Sequence, residues 1–320
     1  MTHFDLAVIG AGPGGYAAAI KAAQLGLSCA LIEQGAVGGT CLNRGCIPTK
    51  TLLHTTELID QLAHAADFGV QVEGVSLDYA ALRARVSAVC DQLRGGVEAL
   101  LAANGIKLIA GRATLGAGNH IRVGVGAGAG AGAEAAPTPQ GACVNQQGVC
   151  ADEALDLTAT DVIVATGSRP ALPPIPGIDL PGVYTSDSLL ENFPPLESIA
   201  IIGGGVIGME FAGIYAALGC AVTVIEAAPR ILPLMDKELS QSLAMVVKKR
   251  GAAVCAGALV ERIEASSTEA GKLTVHYSAK EQAHSITVAG VLVATGRTPN
   301  TRDLFTGDLA PALDRGRIVV

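Results

Sequence analysis

Apolar residues near the N-terminus come in short unbroken runs. Leu6-Ala7-Val8-Ile9 leads without a polar spacer into Gly10-Ala11-Gly12-Pro13-Gly14-Gly15. A run of this kind before a glycine cluster predicts a strand covered on both faces, the usual condition in a parallel sheet. A helix is predicted from Pro13 to about Leu25, with Ala17, Ala18, Ala22 and Ala23 forming a small-residue packing face. The next apolar run, Ser28 to Ile32, ends on Glu33. The whole pattern then recurs. The strand Ser198–Ile202 enters Gly203-Gly204-Gly205-Val206-Ile207-Gly208, a helix runs to about Leu218, and the strand Ala221–Ile225 ends on Glu226.

Both repeats read Gly-x-Gly-x-x-Gly, at Gly10, Gly12 and Gly15 and again at Gly203, Gly205 and Gly208. The first glycine permits a tight turn, the second lets a pyrophosphate approach the backbone, and the third lets helix and strand pack closely. The helix N-terminus directs unsatisfied N–H groups and its positive dipole end at the phosphates. In each repeat an acid follows the last glycine by the same interval, 33 − 15 = 18 and 226 − 208 = 18 residues. A carboxylate at that interval can bind a ribose diol. Two such units imply two dinucleotide sites. Glu226 favours a free 2′-hydroxyl, hence NAD, where an NADP site carries an arginine for the 2′-phosphate. Arg230 is near in sequence but lies past Pro229, and it is expected to point elsewhere.

A long helix is expected from about Tyr79 to Asn104, followed by strands Lys107–Ala110 and His120–Val123 that begin a small antiparallel meander. From about 124 to 151 the chain is low in complexity, opening with Gly124-Val125-Gly126-Ala127-Gly128. Such a stretch cannot bury enough surface to offset its ordering entropy and is read as a mobile insertion, with Cys143 and Cys150 as solvated thiols and a regulatory disulfide or metal clip as the alternative. The meander resumes at Leu155–Thr158 and closes through Asp161–Val164 into Ala165-Thr166-Gly167-Ser168-Arg169-Pro170. Ala294-Thr295-Gly296-Arg297-Thr298-Pro299 mirrors that ending. Pro173, Pro174, Pro176 and Pro181 mark a boundary. The expected fold is α/β, with a first dinucleotide domain over 1–172, a second over 173–297, and a return segment over 298–320.

Composition narrows the partners. Half of the 320 residues are hydrophobic and 16% are charged, which suits buried parallel strands under helices. The net charge of −7 argues against a nucleic-acid partner. No apolar run approaches the ~20 residues of a membrane span, and the N-terminus goes directly into a strand, so a soluble, cytoplasmic chain is expected. Eight cysteines in such a chain are not a disulfide scaffold. Cys29, Cys90, Cys220 and Cys255 fall in apolar stretches and read as packed thiols; no metal site is expected.

Cys41 and Cys46 differ from these. They stand in Gly38-Gly39-Thr40-Cys41-Leu42-Asn43-Arg44-Gly45-Cys46-Ile47-Pro48-Thr49-Lys50. Five residues separate side chains by about 140° on an ideal helix, so the two thiols meet only on a distorted turn. Gly45 allows that turn, and Pro48 would mark a helix irregularity just beyond it. A thiol pair so held can cycle between dithiol and disulfide, a two-electron store.

Together these motifs resemble the disulfide oxidoreductases that carry FAD and a redox-active Cys-x-x-x-x-Cys, the family of glutathione reductase, mercuric reductase and dihydrolipoamide dehydrogenase. The resemblance covers the chain apart from the 124–151 insertion. Gly39 to Lys50 is most similar to dihydrolipoamide dehydrogenase, because the other two tend to carry valine where Leu42 and Ile47 stand. The resemblance implies oxidation of dihydrolipoamide with reduction of NAD⁺; reduction of another disulfide or of a metal ion, or a non-catalytic nucleotide-binding chain, are the alternatives. It implies FAD at the first site, held by Gly10, Gly12, Gly14, Gly15, Glu33, Gly39, Thr40, Lys50, Ala113, Thr166, Gly167 and Ser168. It implies NAD at the second, held by Gly203, Gly205, Gly208, Glu210, Glu226 and Gly296. Cys46 would be the charge-transfer thiol beside the flavin and Cys41 the interchange thiol that meets lipoamide. Lys50 resembles the lysine near flavin N5, with Glu210 as its counter-charge. The family continues beyond the position of Val320 into an interface domain bearing a His-Glu acid/base pair. None of His3, His54, His64, His120, His276 and His284 falls in a matching motif. The expectation is therefore a shortened form of a homodimeric enzyme that serves a lipoyl-bearing protein of a 2-oxo acid dehydrogenase or glycine-cleavage system.

Overall fold

A computed structural model describes residues 1–124, 154–309 and 311–320. The chain divides into two compact units, neither of them continuous. One comprises 1–43, 91–168 and 299–320, the other 44–90 and 169–298. These differ from the continuous 1–172 and 173–297 expected from sequence. The reason lies in the helix that follows Cys46: its Leu52, 1% exposed, joins the core of the second unit with Met209, Phe211 and Tyr215.

In the first unit β1 (Thr2–Ile9), α1 (Pro13–Gln24) and β2 (Cys29–Glu33) follow in the predicted order. β1 and β2 run parallel, Leu6 opposite Cys29 through Ile9 opposite Ile32. Ala7, Val8, Ala30 and Leu31 have no solvent exposure, as an unbroken apolar run between two covered faces requires. The short α2 (Gly39–Arg44) comes next, then α3 (Cys46–Ala63) and α4 (Tyr79–Ala103). β3 (Lys107–Ala110) lies parallel to β2, so it is the edge of the parallel sheet and not the first strand of the meander. The meander starts instead at β4 (Arg112–Gly116), which the sequence reading lacked, and continues through β5 (His120–Gly124). Gly111, at φ +151, makes the break between β3 and β4. β6 (Leu155–Val164) is one continuous strand. It pairs antiparallel with β5 through Leu155–Thr158 and parallel with β1 from Leu157 to Val164. The sheet order is β3-β2-β1-β6-β5-β4. Beyond Gly124 the expected insertion, with Cys143 and Cys150, lies outside the described residues.

β7 (Ser168–Pro170) precedes the second unit's β8 (Val183–Thr185), α5 (Ser186–Asn192), β9 (Ser198–Ile202), α6 (Val206–Ala217), β10 (Ala221–Glu226), α7 (Lys237–Lys249) and β11 (Ala253–Ala256). An antiparallel sheet of β12 (Ala258–Ala265), β13 (Leu273–Ala279) and β14 (Gln282–Val288) follows, then β15 (Gly290–Val293). The parallel sheet has the order β11-β10-β9-β15-β8. β16 (Arg297–Pro299) pairs with β7, and β17 (Leu313–Asp314) with β18 (Arg317–Ile318). What is a single strand in the first unit, β6, is split in the second into β14 and β15. No described helix is long and apolar enough to cross a membrane.

Candidate dinucleotide and dithiol sites

The first glycine turn closes on the sheet. Gly10 N donates to Ile32 O at 2.8 Å and Ala165 N to Ile9 O at 2.8 Å, with Gly10 at φ +105. A Cβ on Gly10 would collide with the Ala165 carbonyl, and one on Gly15 with the Gly10 carbonyl. Both glycines are therefore demanded by the protein's own packing. Gly12 and Gly14 are not. A Cβ on Gly12 would find nothing nearer than Gly39 Cα at 3.8 Å, and one on Gly14 nothing within 4 Å. Gly12 is also the N-cap of α1, with no side chain capping the helix. The result is an uncapped helix N-terminus approached over bare backbone, a cradle suited to a pyrophosphate.

Glu33 does more than its spacing implied. Its Oε2 accepts from Ala11 N at 2.7 Å and its Oε1 from Gly35 N at 2.8 Å, so it braces the turn. Each oxygen keeps a further acceptor site for a ribose hydroxyl. The second turn repeats this arrangement. Gly203, at φ +109, donates to Ile225 O at 2.9 Å, and Ala294 N donates to Ile202 O at 2.8 Å. A Cβ on Gly208 would strike the Gly203 carbonyl, whereas Gly205, the N-cap of α6, faces open space. Glu226 accepts from Gly204 N at 2.5 Å and from Ala228 N at 2.7 Å.

The remaining predicted residues fall in several settings. Gly167 (φ +67) and Gly296 (φ +135) occupy matching turns with open space around a would-be Cβ. Asn300 reaches the first of these, its N donating to Gly167 O and its Nδ2 to Thr166 O, both at 3.0 Å. Ser168 begins β7. Ala113 is only 6% exposed in β4, its methyl in the core, so a ligand could meet only its backbone. Arg230 donates from Nη2 to Pro233 O at 3.0 Å, while its Nη1 is buried.

The two thiols lie on consecutive helices. Cys41 is inside α2 and half-buried; Cys46 opens α3 and is exposed. Gly45, at φ −152 and ψ −109, breaks the chain between them. Pro48 is the third residue of α3, where its missing N–H forfeits no intrahelical bond, so it belongs to the helix start and marks no irregularity beyond it. Asn43 Nδ2 donates to Val37 O in the preceding loop (3.0 Å) and to Gly39 O at the start of α2 (2.9 Å), and Arg94 Nε donates to its Oδ1 at 3.0 Å. Sequence reasoning missed this clamp, because Arg94 lies on α4, far along the chain.

One helical turn past Cys46, Lys50 Nζ sits 2.7 Å from Glu210 Oε1 on α6. Arg44 and Asp187 pair at 3.9 Å, and Asp60 and Arg250 at 3.2 Å. These contacts fasten the end of α2, the second turn of the Cys46 helix and its last turn to α5, α6 and the end of α7 respectively. Among the other thiols, burial pushes Cys220 up to about 11, with Glu197 adding to the shift. Burial, and then Asp5, also raise Cys29. Both are protonated packing groups at neutral pH.

The chain thus carries two glycine turns braced in the same way and a two-thiol segment. The profile of the pyridine nucleotide-disulphide oxidoreductase family matches residues 4–320. The chain belongs to that family, which uses FAD and NAD(H). It is 36% identical over 303 residues to a dihydrolipoyl dehydrogenase of Chlamydia pneumoniae, covering 94% of this chain and 58% of that protein. A dihydrolipoyl dehydrogenase of Rhizobium etli is 36% identical over 320 residues, covering 99% of this chain and 63% of the relative. Among solved structures, a Cu(II) complex of the HOCl-induced flavoprotein disulfide reductase RclA from Escherichia coli aligns with a TM-score of 0.78 and 31% identity, covering 100% of this chain and 63% of that one. The chain thus spans about three-fifths of the length of these relatives.

Proposed function

We propose that the chain carries the electron path of a dihydrolipoamide dehydrogenase, from a dithiol substrate through Cys41 and Cys46 to NAD⁺. The observation that carries this reading is the helix that opens at Cys46. One turn later its Lys50 is paired with Glu210, two residues past the last glycine of the second turn, so thiol and dinucleotide turn share one scaffold.

FAD, when bound, relays the electron pair between the dithiol and the nicotinamide. On this reading Gly10, Gly12, Gly14, Gly15 and the α1 N-terminus hold its pyrophosphate and Glu33 its ribose. Gly39, Thr40, Ala113, Thr166, Gly167 and Ser168 complete that contact. Lys50 supplies positive charge, and Glu210 keeps the lysine placed. Gly203, Gly205, Gly208 and Gly296 hold NAD, with Glu226 on its ribose. In the thiol step, one thiolate of dihydrolipoamide attacks Cys41 of the Cys41–Cys46 disulfide and Cys46 leaves as thiolate. The second substrate thiol then displaces Cys41, releasing the cyclic disulfide and a reduced Cys41/Cys46 pair. The partner is a lipoyl-bearing protein, and the full-length form is a homodimer.

The Cu(II) complex of the RclA relative favours a second reading, in which a metal ion accepts the electrons. Among the described residues no group of three or more His, Cys, Asp or Glu is placed to hold a metal, so the cysteines alone would meet it. Parallel assays of the full-length form separate the readings: NADH with lipoamide, NADH with Cu(II), and NADPH with glutathione. Lipoamide is expected to be the preferred of these acceptors. Faster turnover of glutathione with NADPH, or of Cu(II), would contradict the proposal.

A further inference from the structure

α2 carries Cys41 and has little of its own to hold it. It is six residues long, too short to persist by backbone hydrogen bonding alone, and of its side chains only Leu42 is buried. Its start is fixed by the loop that crosses the first glycine turn, where Gly38 N donates to Ala11 O at 2.8 Å and a Cβ on Gly39 would come within 2.7 Å of Gly12 Cα. Its far end is fixed by a side chain. Asn43 Nδ2 donates to Val37 O (3.0 Å) and Gly39 O (2.9 Å), and its Oδ1 accepts from Arg94 Nε on α4 at 3.0 Å. Asp91, one turn earlier on α4, faces Arg94 Nη1 at 3.0 Å and keeps the guanidinium aimed. The bond to Asn43 is charge-assisted, hence stronger than a neutral one, and it polarises the amide so that Nδ2 becomes a better donor. The other tie at that end, Arg44 to Asp187, is 3.9 Å long with Arg44 61% exposed, and pairs of that kind contribute little.

A disulfide is favoured over two thiols in proportion to how often one thiol stands within reach of the other. Freeing α2 would spread Cys41 over many positions and lower that effective concentration. We propose that Arg94 is a positioning residue for the dithiol: acting through Asn43, it holds the Cys41 helix in place and so favours the Cys41–Cys46 disulfide over the reduced pair. This rests on the reading of Cys41 and Cys46 as the redox couple. Arg94 takes no part in the exchange itself.

Equilibration of the whole chain with mixtures of reduced and oxidised dithiothreitol tests it, the free thiols being alkylated and the Cys41 and Cys46 peptides quantified by mass spectrometry. One dithiothreitol thiolate attacks Cys41 and Cys46 leaves as thiolate. The second dithiothreitol thiol then displaces Cys41 and closes the cyclic disulfide, so two electrons pass to the cysteine pair. Arg94→Ala should shift this equilibrium toward the dithiol by roughly tenfold, which raises the potential by about 30 mV. Asn43→Ala should do the same, and adding Arg94→Ala to it should change nothing further, because one acts through the other. Arg94→Lys, which keeps the charge but not the planar fork, should fall between. Equal equilibria in the parent and Arg94→Ala would overturn the proposal, and a lowered melting temperature beside them would make the clamp structural only. Additive shifts in the double variant would overturn the route through Asn43. A parent in which Cys41 and Cys46 form no disulfide would reject the redox reading, and this proposal with it.

Discussion

The two glycine turns share one set of hydrogen bonds and differ in what crosses over them. In both, the first glycine bonds to the second strand, the last packs under it, and the acid at the strand end braces the intervening backbone. Ala11 O accepts from Gly38 N in the first turn, and Gly204 O from Leu232 N in the second. The crossing segments then diverge. Over the first turn runs Gly38-Gly39, so close that a Cβ on Gly39 would come within 2.7 Å of Gly12 Cα, and the chain continues into the thiol-bearing helices. Over the second runs a loop with Leu232 at φ +47, anchored by buried Ile231 and by Ser240 Oγ donating to Ile231 O at 2.6 Å. The duplicated strand-turn-helix thus sets up dinucleotide binding. The segment laid across it differs between the halves: the first leads into the thiol-bearing helices and the second into α7.

The largest expected effect separates glycines that serve packing from those that serve a ligand. Gly15→Val or Gly208→Val would drive a side chain into a backbone carbonyl that cannot yield, at a cost on the order of 4 kcal/mol or more. Neither variant should give a cooperative melt. Gly205→Ala, with open space around it, should melt like the parent while losing affinity for NADH in a titration. An unaltered melt for Gly208→Val would break the distinction.

Next in size is the gap between acceptors. Thiol exchange at neutral pH requires a base to form the thiolate, and a placed general base contributes ~10²–10⁴-fold. His54 is the one histidine on α3, but it stands eight residues past Cys46, about 12 Å along the helix. It faces Glu57 at 3.9 Å. NADH oxidation by the 320-residue chain should therefore run well with an artificial dye and poorly with lipoamide. Equal rates in the two assays would mean that a histidine of this chain serves as the base.

That gap also shows where sequence was informative. The turns, their acids and the thiol pair were readable because each needs a residue type at a fixed offset from a strand or glycine. Lys50 and Glu210 came only through family likeness. The Asn43–Arg94 clamp, the Arg44–Asp187 pair and the entry of Leu52 into the second core join residues far apart in the chain, and no local pattern announces them. β3 was misplaced because only Ile109 of its four residues is buried, which resembles a meander strand. β4, with Ala113 and Leu115 buried in alternation, was overlooked beside Gly111.

Alkaline pH should distinguish the two units by a smaller margin. Tyr79, Tyr215 and Cys220 of the second unit all have raised values, chiefly from burial, with Cys220 moved from 9.0 to about 11. A group whose folded value is raised stabilises the fold below its unfolded value, and that contribution is lost as pH climbs toward the folded one. Stability should hold to about pH 9 and fall between pH 9 and 11. Tyr79, Tyr184, Tyr215 and Tyr277 lie in the second unit and only Tyr16 in the first, so tyrosine near-ultraviolet dichroism reports mainly on the second. A signal that outlasts pH 11 would oppose this. The smallest stability change belongs to Lys50→Ala. Its pair is partly exposed and worth about 1 kcal/mol or less, so the melt should barely move while NADH-to-dye electron transfer slows. A large loss of stability with unchanged electron transfer would make the pair structural.

The central claim is that open backbone at the first turn exists for a flavin pyrophosphate, and Gly12→Val tests it most directly. Gly12 has an extended backbone (φ −70, ψ −178) that valine can adopt, and the nearest atom to a new Cβ is 3.8 Å away. The fold should lose about 1 kcal/mol or less, the scale of an N-cap change. The purified parent should be yellow with bound FAD, and the variant should melt cooperatively yet show no flavin absorbance. A variant that folds and retains a full complement of flavin would show that the pyrophosphate does not lie at this turn.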